Sequence, residues 1–209
     1  MSLREAMETQ RAIRRLKRDP VDDELILRCI QLALHAPSGS NAQSWEWIVV
    51  RDPRVKAKLA RLNRIPWRLA GRMYRARSDE KMQRVVDAVQ WQADHYEEIP
   101  VIVVACLRGW RMNLLHGAAT AWYGSIYPAV QNFLLACRAE GLGAALTTLP
   151  LWSATLARRA LGLPFNVQPV AVIPVGWPRG RYGPNTRKPV EQVVHHDRYG
   201  NRTPAPPGA

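Results

Sequence analysis

Apolar positions along the chain switch repeatedly between a helical and a strand period. Glu5 to Gln10 reads as a short helix, broken near Asp19-Pro20. Leu25, Cys29, Leu32, Ala33 and Ala36 then recur three or four apart, which predicts a helix with one buried face, capped by Asp22 or Asp23. Trp45 to Val50 is largely apolar and predicts a strand that ends at Asp52-Pro53, followed by a helix from Val55 to Leu62. Residues 64–98 keep helical character and carry the large side chains Trp67, Met73, Tyr74, Trp91 and Tyr96. Ile99 to Leu107 holds the unbroken run Val101 to Cys106 between Pro100 and Gly109, the pattern of a strand covered on both faces.

Further on, Ala118, Trp122, Ile126, Val130, Phe133 and Cys137 define a long central helix, from about Ala118 to Glu140, that Gly141-Leu142-Gly143 can close. Ala144 to Leu149 reads as strand, Leu151 to Leu161 as helix and Val167 to Trp177 as strand. Residues 179–209 are basic, proline-rich and too weakly periodic to bury a core, so this arm is expected to wrap around something. With no internal repeat and no linker, residues 1–209 read as a single domain with a helical excursion at 64–98.

The length suffices for a sizeable core, and 47% hydrophobic residues fits a globular chain. No apolar run reaches the roughly 20 residues that cross a bilayer. The opening Met1-Ser2-Leu3-Arg4-Glu5 lacks the apolar segment of a secretory signal, so the cytoplasm is the expected compartment. Cys29, Cys106 and Cys137 are far apart among apolar residues, which fits reduced core thiols better than disulfides or a metal site. A formal charge of +13 is compatible with nucleic acid, an anionic membrane surface or phosphorylated small molecules. No nucleic-acid-binding signature surrounds the arginines, so neither nucleic acid nor membrane is the expected partner.

The segment Ala36-Pro37-Ser38-Gly39-Ser40-Asn41-Ala42-Gln43-Ser44-Trp45 places a small polar turn between a helix and a strand. Read by itself it is either an ordinary joint or a surface that presents N–H groups and amides to the edge of a flat heteroaromatic ring. It resembles the Ala-Pro-Ser-x-x-Asn-x-Gln-x-Trp turn of the nitroreductase family, flavoenzymes that carry FMN at a dimer interface. Four further segments are similar to the family in the same order. Gln10-Arg11-Ala12-Ile13-Arg14-Arg15-Leu16 resembles its Arg-Arg-Ser-x-Arg opening, with Gln10 and Ala12 as departures. Tyr127 to Ala136 resembles its central helix, which would form core and dimer interface, and Gly141 to Leu149 its glycine-led strand. Arg187-Lys188-Pro189-Val190-Glu191 resembles its C-terminal Arg-x-Pro-Leu/Val-Glu segment.

The resemblance implies an α+β fold, a mainly antiparallel sheet flanked by helices, with the C-terminal extension exchanged in a homodimer. It implies FMN as cofactor and NAD(P)H as co-substrate, and electron transfer to a nitroaromatic, quinone or activated alkene by a ping-pong mechanism in which the flavin, and no side chain, carries the chemistry. Arg11 and Arg187 would hold the phosphate, the latter by paired contacts that Lys188 cannot match. Ala12 would offer only its N–H in place of a serine hydroxyl. Arg14 would lie near N1 and O2 of the ring, unless a shift of one residue puts Arg15 there. Pro37, Ser38, Asn41 and Gln43 would line the ring or ribityl side, the first reaching it from the neighbouring subunit. Thr147, Thr148 and Leu149 would aim at N5 and O4. Trp67, Met73 and Tyr74 form either a lid or an ordinary packed helix.

Other chemistries lack support in the sequence. There is no Gly-x-Gly-x-x-Gly and no Gly-x-Ser-x-Gly. His195-His196-Asp197 has neither a nucleophile nor further ligands at supporting spacing, so no metal site is expected. A divergent flavin-binding relative that dehalogenates, oxidises a heterocycle or destroys flavin is the main alternative, and a basic nucleic-acid-binding module a further one.

Overall fold

The computed structural model describes residues 1–76, 79–109 and 116–202. In chain order the elements are α1 (Leu3–Thr9), α2 (Asp23–Ala33), β1 (Trp45–Val50), α3 (Pro53–Ala76), α4 (Glu80–Asp94), β2 (Val101–Arg108), α5 (His116–Ala139), β3 (Gly143–Ala144), α6 (Ala154–Leu161) and β4 (Val167–Gly176). The strands form one sheet in the order β1-β2-β4-β3, antiparallel throughout. Such a sheet, flanked by helices, is the α+β arrangement the sequence implies. Exchange of the arm between subunits concerns a second chain, and residues 203–209 of the arm lie outside the described residues.

β2 is buried along seven of its eight residues because helices cover both faces. Val101, Val103, Ala105 and Leu107 join the core made with α2 and α5, whereas Ile102, Val104 and Cys106 join the one made with Leu59, Ala60 and Tyr96. Burying each of the Val, Ile and Leu side chains among them contributes about 1.5–3 kcal/mol. Burial pushes the Cys106 thiol up to about 12, and Cys29 and Cys137 are free and buried as well. Among the described residues no helix is long and apolar enough to cross a membrane.

Several elements depart from the sequence pattern. α3 begins at Pro53, where Asp52 Oδ1 accepts from the Arg54 and Val55 amides at 2.6 and 3.2 Å, and continues through Pro66 to Ala76. The buried residues Leu62, Asn63, Trp67 and Gly71 hold that second half against its neighbours, which offsets the lost proline hydrogen bond. In α2 the buried face comprises Leu25, Ile26, Cys29, Ile30 and Ala33, and Leu32 is exposed. The strand expected over Ala144 to Leu149 is reduced to Gly143–Ala144 plus a single bridge between Thr147 and Val172. Pro174 of β4 has no N–H to offer where the intervening residues pass, so the ladder is interrupted. Leu149–Leu151 is a 3₁₀ turn, and the following helix starts only at Ala154, capped by Ser153.

Candidate functional site

Residues 10–18 run extended across the ends of β3 and β4. The Ile13 amide donates to the Ala144 carbonyl at 3.0 Å, the Lys17 amide to Trp177 at 2.8 Å, and the Arg179 amide to Arg15 at 3.0 Å. Close approach is possible because residue 143 is glycine: a Cβ there would stand 2.7 Å from Leu16 Cδ2 and 2.8 Å from Ile13 Cγ2. The arm is fastened to the same strip. Tyr182 donates its hydroxyl proton to the Leu142 carbonyl beneath the Arg138 guanidinium, the Asn185 amide donates to Glu8, and Asn185 Nδ2 donates to Gln10. These ties bring Arg187 beside Arg11.

Three adjoining hollows meet at Arg14. One of about 340 Å³ is lined by Arg11, Ala12, Arg14, Asn185, Thr186 and Arg187. A second, of about 410 Å³, lies between α3 and α4, with Arg14, Thr147 and Leu149 on one side and Trp67, Tyr74 and Val86 on the other. The third, of about 710 Å³, follows the outer side of α4. Arg14 lines all three, while the exposed Arg15 lines the third alone. Of the two arginines that the sequence leaves open, Arg14 is the one that lines the cavity shared with Thr147 and Leu149.

Electrostatics marks the same place. Burial lowers the pKa of Arg14, and among the described residues no carboxylate pairs with Arg11, Arg14 or Arg187. A half-buried guanidinium without an acidic partner carries a desolvation cost that an anionic or electron-rich ligand would offset. Among the described residues Arg187 Nη1 donates to the neighbouring Thr186 carbonyl alone, at 3.0 Å, leaving most of its donor fork for a ligand.

The polar turn sits elsewhere on the chain. Gly39 N donates to Ser125 Oγ of α5 at 3.0 Å, Gln43 N to Ser38 Oγ at 3.1 Å, and Gln43 Nε2 to Asn41 Oδ1 at 3.0 Å. Ser40, Asn41 and Gln43 all hold left-handed φ values, of 52°, 51° and 49°, a region that residues with side chains occupy sparingly, asparagine apart. Pro37, Ser38, Asn41 and Gln43 line none of the three hollows, so one chain does not bring them to Arg14. Thr148 is exposed and lies outside the hollows too.

Sequence reading missed two amides. Asn63 and Gln92 are 3% and 4% exposed and line the cavity between α3 and α4, and Gln92 Nε2 has no hydrogen-bond partner among the described residues. Each sits among apolar neighbours at helical spacing, the one signal that could have marked them. Of the three side chains considered for a lid, Tyr74 lines the cavity. Trp67 is a packed wall whose Nε1 donates to Gln90 Oε1 at 2.9 Å, and Met73 is exposed and lines none of the hollows. In the tail, His195 Nδ1 accepts from the Gly200 amide at 3.0 Å. Among the described residues no group of three His, Cys, Asp or Glu could hold a metal ion.

The model of the Nitroreductase family matches residues 7–177. The chain belongs to the nitroreductase family. Among the relatives of this nitroreductase-family chain, an NADH dehydrogenase of Thermus thermophilus is 29% identical over 198 residues, covering 88% of this chain and 91% of its own length. An iodotyrosine deiodinase of Nematostella vectensis is 24% identical over 194 residues, covering 90% and 72%. The solved structure of an iodotyrosine deiodinase bound to FMN and 3-iodo-L-tyrosine superposes with a TM-score of 0.73 at 21% identity, covering 95% of this chain and all of that one. The fold is therefore nitroreductase-like.

Proposed function

We propose that this protein is an FMN-dependent oxidoreductase that, as a homodimer, passes electrons from NAD(P)H to a nitroaromatic, quinone or activated alkene in ping-pong order. The observation that carries the reading is the convergence of Arg11, Arg14 and Arg187, from opposite ends of the chain, on adjoining hollows, with no carboxylate paired to any of the three among the described residues. FMN is the cofactor whose shape fits this arrangement: an anionic phosphate at one end, a polar chain, and a flat ring. When bound, it supplies hydride acceptance and electron return, so the protein's side chains need not act as acid or base.

The residues then divide the work by position. Arg11 and Arg187 grip the phosphate with charge-assisted hydrogen bonds, and the Ala12 backbone serves beside them. Arg14 places positive charge at the electron-rich edge of the ring, where charge accumulates on reduction. Thr147 and Leu149 border the opposite edge. Asn63 and Gln92 provide the polar groups of an otherwise apolar cavity, and Trp67, Val86 and Val89 keep water from it. The strained turn of Pro37, Ser38, Asn41 and Gln43 completes the site from a second copy, which explains why one chain holds it apart from Arg14.

Purified protein tests this directly. It should be yellow, bleach when NADPH or NADH is added without oxygen, and regain colour with a nitroaromatic. A colourless preparation that FMN cannot reconstitute would refute the proposal. A dehalogenase-type activity is the second reading, favoured by the likeness to iodotyrosine deiodinases. Release of iodide from an iodinated phenol by the reduced protein, with no turnover of nitroaromatics, would select it.

A further inference from the structure

The groove on the outer side of α4 holds more positive charge than one cofactor phosphate requires. Arg15, Arg84, Arg179 and Arg181 line it, and Asp87 is the acidic side chain among its lining residues. Arg84 is already paired with Glu80 at 2.6 Å, but among the described residues Arg15 and Arg181 form no ion pair or side-chain hydrogen bond. Like charges that outnumber the acids beside them repel one another, and an anion in their midst reduces that cost. The groove also has one aromatic wall. Trp91 lines it, the Arg179 guanidinium lies 5.2 Å from the Trp91 ring centroid, and the His95 ring stacks on Trp91 at 4.1 Å and 10°.

Convergent guanidinium groups suit a ligand that carries phosphate, because each can match phosphate oxygens in pairs, and the Trp91 indole, already covered by Arg179 and His95, holds the Arg179 guanidinium in place within the groove. Arg14 and Arg11 are shared between this groove and the proposed FMN site, so a ligand lying in it reaches toward the ring. NADPH differs from NADH by the 2′-phosphate on its adenosine half, which is a dianion at neutral pH. On the reading of the protein as an FMN oxidoreductase, we infer that the Arg15, Arg84, Arg179, Arg181 and Trp91 groove holds the adenosine 2′,5′-bisphosphate half of NADPH and selects NADPH over NADH.

The test uses FMN-loaded wild-type protein and the exposed-site variants Arg181→Ala and Arg84→Ala/Arg181→Ala, none of which touches the proposed FMN residues. Anaerobic reduction by NADPH and by NADH is followed at varied concentration, together with inhibition by 2′,5′-ADP, 5′-AMP and inorganic phosphate. Wild-type protein should prefer NADPH in kcat/KM by about tenfold or more, and Arg181→Ala should raise KM for NADPH by about tenfold while leaving kcat and all NADH parameters in place. 2′,5′-ADP should compete with NADPH more strongly than 5′-AMP or phosphate and leave FMN bound.

Equal use of the two donors, or an equal loss of both in Arg181→Ala, would overturn the assignment. So would displacement of FMN by 2′,5′-ADP, since the groove would then belong to the cofactor, or inhibition by inorganic phosphate as strong as that by 2′,5′-ADP. In each of these cases the protein is yellow and reducible, so the parent reading survives. A colourless wild-type protein that FMN cannot reconstitute overturns both.

Discussion

Substituting alanine for Gly143 tests whether the arginine strip owes its position to close backbone contact. The new Cβ would meet Leu16 Cδ2 at 2.7 Å and Ile13 Cγ2 at 2.8 Å, with Ile13 Cβ itself at 3.2 Å. Carbon atoms pack best at about 3.5–4.0 Å, so the strip must retreat by roughly 1 Å. Ile13 is β-branched and stiff, and Leu16 is 3% exposed, so neither side chain can turn away freely. Overpacking of this kind costs about 1–3 kcal/mol, which in a chain of this length lowers Tm by roughly 2–12 °C. The retreat also stretches the 3.0 Å bond from Ile13 N to the Ala144 carbonyl and carries Arg11 and Arg14 away from Arg187 and Thr147. Scanning calorimetry and an FMN fluorescence titration on the same preparation should therefore both register the change, with weaker FMN binding accompanying the lower Tm. Unchanged values of both would refute the close-contact argument. A lower Tm with unchanged FMN affinity would separate the strip's packing from the proposed site.

Other substitutions probe separate parts of the account. Arg187→Ala should weaken FMN binding by about 1.5–3 kcal/mol, the worth of a charge-assisted contact, while Tm of the FMN-free protein stays put because the side chain is exposed. Gln92→Leu removes a buried, unpartnered Nε2 whose burial costs about 1–3 kcal/mol, so the ligand-free protein should melt higher while turnover of the acceptor falls; a lower Tm would show that Gln92 is satisfied in solution. Alkaline pH should destabilise the fold. Cys106 keeps its proton up to about 12 when folded but loses it near 9.0 when unfolded, so its contribution is intact below about pH 9 and is lost as pH rises through that window, at about 1.4 kcal/mol per pH unit. Burial raises Tyr96 in the same direction. Urea midpoints should hold up to about pH 9 and fall above it, and Cys106→Ala should flatten the fall.

Where one local period dominates, the sequence disclosed the element. β1, β2, α5 and β4 were readable because their apolar residues are either continuous or spaced for one face, and family-like segments in order pointed to the nitroreductase fold. The short extent of β3 was not readable, since it depends on its partner in β4: Gly143 and Ala144 pair with Gly176 and Val175, and the next residue meets Pro174, which has no N–H to return. The full run of α3 was hidden by Pro66, a local breaker overruled by buried neighbours that only the folded chain supplies. Arg11, Arg14 and Arg187 could be named from their motifs, but that Arg14 and not Arg15 lines the cavity between α3 and α4 depends on the direction each side chain takes from the strip, which no motif records. Asn63 and Gln92 escaped notice because an amide on a helical face looks the same in sequence whether it meets water or a cavity. The groove beside Trp91 draws on α4, the strip and residues 179–181, segments no local pattern connects.

The central claim is that Arg11 and Arg187 of one chain form a phosphate grip. Titrating the protein with FMN and with riboflavin, which lacks the phosphate, measures that grip alone. Two charge-assisted contacts predict that FMN binds more than about 100-fold tighter than riboflavin, and that Arg187→Ala removes much of the difference. Equal affinity for the two flavins would contradict the account.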